Sequence, residues 1–159
     1  MPEAAQLTSV FASVPSDLMV LGGVAVVLAL ISLYAGSSQI VAIAVASLVT
    51  AFMYPQLAQT ALLSSLSGGS GILAVCAVLF VLQIVFFRWM VNDLFSITSP
   101  LQGIMAGVGG TIILASVWMF IPDLSALWSF TESTRMIFSD AYRVWWILGA
   151  FVLLGFSRF

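Results

Sequence analysis

The chain has 159 residues, 62% of them apolar, and only ten carry charge: four basic, six acidic, no histidine, for a net charge of −2. Soluble domains run about 45–50% apolar and about 25% charged, and ten charged side chains cannot clothe a water-soluble surface of this size. With a mean hydropathy of +1.21, the composition is that of an integral membrane protein, and it excludes disordered, collagen-like and disulfide-rich classes.

The N-terminal stretch MPEAAQLTSVFASVPSD carries an acid where a secretory signal carries positive charge, so no cleavable signal or transit peptide is expected. Residues 1–16 read as a tail, and the first hydrophobic segment as an uncleaved insertion signal. From Asp17 to Arg88 no side chain is charged between the two. That interval is too long for one crossing, because ~30 Å of hydrocarbon needs about 20 helical residues. Turn signals must divide it.

The first predicted span covers residues 18–35, with Ser16 or Asp17 as N-cap. Gly36-Ser37-Ser38-Gln39 is the predicted turn. The second span covers residues 40–56, and Tyr54-Pro55 should break or kink it, since proline removes a donor and crowds the preceding turn. Residues 57–66 read as an extension of that helix or a short surface helix. Gly68-Gly69-Ser70-Gly71 reads as a loop.

The third span covers residues 72–91 and ends in Phe86-Phe87-Arg88-Trp89, an interfacial signature in which Arg88 snorkels and Trp89 seeks the headgroups. A polar connection follows, with Ser99 as N-cap and Pro100 at the first helical position of the fourth span, residues 101–121. Residues 123–140 hold four of the ten charged side chains. They are too polar to span and too apolar for a free loop, which suits one or two short interfacial helices. A fifth span, residues 141–159, opens with the anchors Tyr142, Arg143, Trp145 and Trp146 and closes near Arg158. The expected fold is thus an all-α polytopic bundle of about five spans plus an interfacial segment. Orientation is tied: Arg135 and Arg143 fall on one face, Arg88 and Arg158 on the other.

The best-formed motif is the run Gly103-Ile104-Met105-Ala106-Gly107-Val108-Gly109-Gly110. Gly103 and Gly107 make a GxxxG, and Ala106 and Gly110 repeat the spacing. Small residues let membrane helices approach closely, so these four are the candidate packing residues, either within the chain or between chains. Ala25-xxx-Ala29 and Ser32-xxx-Gly36 in the first span, and Ala42-xxx-Ala46 and Ser47-xxx-Ala51 in the second, offer matching surfaces. The glycines are not a nucleotide loop, since no Lys-Ser/Thr follows them.

Catalytic signals are missing. Without histidine there is no imidazole ligand and no Ser-His or Cys-His pair. No ionisable group falls at mid-span, Cys76 reads as a small buried hydrophobe, and Gln83 as an interhelical hydrogen bonder. Nothing calls for a metal or cofactor, and the lack of a basic cluster argues against nucleic acid. The order of elements resembles the colicin V production protein family of small bacterial inner-membrane proteins. Asp17, the Gly36 turn and Leu101-Gln102-Gly103-Ile104-Met105-Ala106-Gly107 carry the likeness. A fifth span and the lack of charges near the glycine helix depart from that family's pattern. The resemblance implies an accessory, export-related role in the inner membrane. Expected partners are the lipid bilayer and other membrane subunits or further copies of the chain. The expected function is non-catalytic, a small subunit or assembly factor. The alternative is a pore or transport component lined by small and hydroxyl residues.

Overall fold

The computed structural model describes residues 15–60, 69–91 and 99–157, and among these all regular structure is helical. The long helices are α1 (Ser16–Ala35), α2 (Ser37–Ala58), α3 (Gly69–Val91) and α4 (Pro100–Phe120). Two short helices follow, α5 (Pro122–Leu127) and α6 (Glu132–Ile137), and then α7 (Asp140–Phe156). Helices α1 to α4 are each long and apolar enough to cross a membrane. Helix α7 has 17 residues, or ~25 Å at ~1.5 Å per residue, short of that length.

Consecutive long helices run antiparallel, so the bundle has two ends. One, the Asp17 face, gathers the starts of α1 and α7, the ends of α2 and α4, and α5 and α6. The other, the Arg88 face, gathers the α1–α2 turn, the end of α3 and the start of α4. Helix α4 is the hub: it packs against α1, α7 and α2, whereas α3 packs chiefly along α2. The buried cluster follows this plan, with Leu28 of α1, Ile40, Ala44 and Ala51 of α2, Ala106, Ile113 and Val117 of α4, and Ala150 and Leu154 of α7.

Local sequence explains most element ends. Ser99 and Gln102 form a capping box: the Gln102 amide donates to the Ser99 hydroxyl at 3.4 Å, and the Ser99 amide donates to the Gln102 side chain at 3.0 Å. Pro100 follows at the first turn, where its missing N–H costs nothing. The α1–α2 turn is Gly36 alone, at φ 91°, a conformation that glycine adopts without strain.

Several boundaries differ from the sequence reading. Pro15, not Ser16 or Asp17, occupies the N-cap of α1, because the Asp17 side chain is turned to another partner. Ser37 to Gln39 are already helical rather than part of the turn. Helix α2 runs through Pro55 to Ala58; a proline one turn from the end removes a single hydrogen bond of the ladder and does not stop the last turn. Gly69 to Gly71, expected as loop, form the first turn of α3. Residues 123–140 contain two short helices, α5 and α6. Residues 1–14 of the expected tail lie outside the described residues, as do residues 61–68, the polar connection at 92–98 and Arg158, while Ser16, expected in the tail, opens α1.

Candidate functional site

The glycine run of α4 lies against α1. A Cβ at Gly107 would stand 2.6 Å from the Ala29 nitrogen and 2.7 Å from the Ala25 carbonyl oxygen, so the two backbones touch. Gly103 faces the end of the Leu33 side chain, and Gly110 faces Ile40 and Leu28. Ala106 is fully buried on the same helix. Gly103-xxx-Gly107 therefore meets Ala25-xxx-Ala29 within one chain. Gly109, off that stripe, meets α7 instead: a Cβ there would stand 2.9 Å from the Ala150 carbonyl oxygen. Sequence reasoning passed over Gly109, because a GxxxG reading attends to one stripe and ignores the glycine rotated to the opposite side.

Polar groups tie the elements together at both ends. On the Asp17 face, the nearly fully buried Asp17 carboxylate accepts the Thr131 amide, joining α1 to the start of α6. Tyr54 donates its hydroxyl to Asp123 at 2.6 Å, joining α2 to α5. The Trp118 indole donates to the Trp128 carbonyl at 3.2 Å, folding the α5 segment back over α4. Arg143 pairs with Asp140 and lies 5.5 Å from the centroid of the Phe120 ring, linking α7 to α4. The Trp146 indole donates to the Ile137 carbonyl and its ring packs on Phe138 at 5.3 Å. On the Arg88 face, the Gln39 amide, assigned so that its oxygen faces the guanidinium, accepts from Arg88 at 2.9 and 3.2 Å. Trp89, Tyr142 and Trp145 are exposed beside these ties.

Inside the bundle, Thr50 of α2 donates to the Gln83 side-chain oxygen of α3 at 3.0 Å, and the Gln83 nitrogen faces the Met53 sulfur. Ser47, Thr111 and Ser116 donate to carbonyls of their own helices, Ala44, Gly107 and Ile112, at 2.8–2.9 Å. The Ser32 and Ser37 hydroxyls are buried without a hydrogen-bond partner among the described residues. Among the described residues no group of three His, Cys, Asp or Glu side chains could hold a metal ion.

Between α3 and the α1–α4 pair lies a cavity of about 600 Å³. Its walls are Val20, Leu21 and Val24 of α1; Ser47 and Thr50 of α2; Leu73, Cys76, Ala77 and Phe80 of α3; and α4 from Thr111 to Ile121. Leu124, Leu127, Trp128 and Phe130 close it at the Asp17 face. A shallower hollow beside α6 and α7 is lined by Met136, Ile137, Tyr142, Trp145 and Trp146. No sequence signal marks the main cavity, since its lining is spread over five elements with no shared motif. Comparison of the chain with known protein families, with curated proteins and with solved structures gives no match.

Proposed function

We propose that the chain is a non-catalytic integral membrane protein that serves as a small subunit or assembly factor of a membrane complex, acting through helix packing. One observation carries this reading: most of the polar side chains described are spent on holding the fold. Asp17, Tyr54, Asp123, Arg143 and Arg88 tie helix ends together, and the hydroxyls of Ser47, Thr111 and Ser116 bond within their own helices. What faces outward along the membrane is apolar side chain, such as Val78, Leu82, Val85 and Phe86 on α3 and Val144, Leu148 and Val152 on α7. Burial of the small and hydroxyl residues between touching helices favours this reading over a pore lined by them. The resemblance to the colicin V production protein family, an accessory group of the bacterial inner membrane, is consistent with it.

In this reading α7 crosses as a fifth span, with α5 and α6 lying in the interface. Five crossings place the termini on opposite sides, and reporter fusions at Met1 and Phe159 read that directly. Matching locations would leave four spans with α7 lying flat. The function itself is tested by purification from the native membrane in mild detergent after crosslinking. A stoichiometric second membrane chain is the expected result. Recovery of this chain alone would remove the proposal.

A further inference from the structure

We propose that the cavity between α3 and the α1–α4 pair is a lipid site that takes one acyl chain of a bilayer lipid from the leaflet on the Asp17 side. The first argument is position. The cavity walls belong to four helices long and apolar enough to cross a membrane, so the medium beside it is bilayer hydrocarbon. The wall of α4 runs from Thr111 to Ile121, ~15 Å at ~1.5 Å per residue. That is about half of the ~30 Å hydrocarbon thickness, the depth of a single leaflet.

The second argument is chemistry. Water needs two to four polar partners to occupy a cavity. The hydroxyl donors in this lining are directed into the protein: Ser47 donates to Ala44, Thr111 to Gly107 and Thr50 to Gln83, and the Trp118 indole donates to the Trp128 carbonyl. The rest of the wall is aliphatic, aromatic or the Cys76 thiol. The few acceptor lone pairs that remain on three hydroxyls offer a poor set of partners for ordered water or a headgroup, whereas an alkyl chain needs only contact. The third argument is size. A volume of about 600 Å³ holds roughly 20 groups of water or methylene size at about 30 Å³ each, the size of one acyl chain.

Access follows from the packing. Helix α3 packs chiefly along α2, which leaves the side between α1 and α3 loosely covered and facing the lipid. The Asp17 end is closed by Leu124, Leu127, Trp128 and Phe130. A chain therefore enters laterally, with its headgroup remaining outside in the leaflet.

The test uses the purified full chain in phosphatidylcholine nanodiscs containing a lipid with a diazirine midway along one acyl chain. After irradiation, adducts are mapped by mass spectrometry. The expected result is adducts concentrated on Cys76, Ala77, Thr111 and Ala115, above those on Val78, an outward-facing neighbour at the same depth. Ala77 lines the cavity yet is exposed, so Ala77→Phe fills the space without crowding a packed contact. It should abolish the Thr111 and Ala115 adducts while the thermal unfolding midpoint stays unchanged. Val78→Phe should leave the adducts as they are. Adducts spread equally over lining and outward positions would overturn the proposal, as would a pattern indifferent to Ala77→Phe. Crosslinks from lining residues to a second copy of the chain in place of lipid adducts would overturn it too.

Discussion

Gly107→Ala is the smallest change that tests the packing of α4 on α1. The added Cβ would lie 2.6 Å from the Ala29 nitrogen, 2.7 Å from the Ala25 oxygen and 2.8 Å from the Ala29 Cα, all backbone atoms that no rotamer change can move. Ordinary contact begins at 3.4 Å, so the helices must separate locally by roughly 0.8 Å. A gap of about 0.5–1 Å forfeits about a quarter to a half of a dispersion contact, and the loss extends to the neighbouring Gly103–Leu33 and Gly110–Leu28 contacts. Lipid offers no hydrophobic compensation for helix separation, since tails are as apolar as the side chains they replace. Overpacking of this kind costs about 1–3 kcal/mol, about 5- to 150-fold in the folded-to-unfolded ratio. The assay is the unfolding midpoint in detergent micelles titrated with dodecyl sulfate, followed by circular dichroism. Gly103→Ala should cost less, because only the end of the Leu33 side chain must shift, and Gly22→Ala should cost little, because nothing lies within 4 Å of its Cβ position. Equal midpoints for the Gly107 and Gly22 variants would refute the close approach of α1 and α4.

Tyr54→Phe removes the 2.6 Å hydrogen bond to Asp123; for this partly exposed, charge-assisted bond a cost of about 1 kcal/mol is expected, read as about fivefold faster amide exchange across α5. Asp17→Ala should release the Thr131 amide and speed its exchange, whereas Asp17→Asn, which keeps an acceptor oxygen, should preserve most of its protection; identical behaviour of the two would show that the bond does not hold α6 to α1. Cys76, buried in the cavity wall, should resist a charged, membrane-impermeant thiol reagent in intact membranes, and rapid labelling would mean water reaches the space between α3 and α4.

Long apolar runs are legible because the bilayer imposes a length. The four long helices and the Ser99–Pro100 start of α4 could be read from residue order alone. Helix ends within the interface were harder. Asp17 has the chemistry of an N-cap but spends its carboxylate on Thr131, 114 positions away, and local propensity carries no information on that competition. Pro55 is a break signal in the sequence, but a breaker near a helix end has little left to break, and the helix runs on to Ala58. Gly103, Ala106, Gly107 and Gly110 were visible as a small-residue stripe, but a stripe does not say which surface it meets. The tie of Tyr54 to Asp123 and the cavity depend on juxtapositions that no spacing encodes.

The distribution of residue size along α4 connects the seam to the cavity. From Gly103 to Gly110 the helix presents glycine and alanine, and there α1 lies close enough for backbone to meet backbone. From Thr111 to Ile121 it presents Leu114, Val117, Trp118 and Ile121, opposite Val20, Leu21 and Val24 of α1. These larger side chains line the cavity in the half of the bundle nearer the Asp17 face, and α3 is anchored to α2 through Thr50 and Gln83. The proposed site thus falls beyond the glycine seam, in the leaflet on the Asp17 side. The ties on the Asp17 face then become part of the same design. By fixing α5 to α2 through Asp123 and over α4 through Trp118, they keep a lid of Leu124, Leu127 and Trp128 across the end of the cavity and leave the bilayer side as its way in.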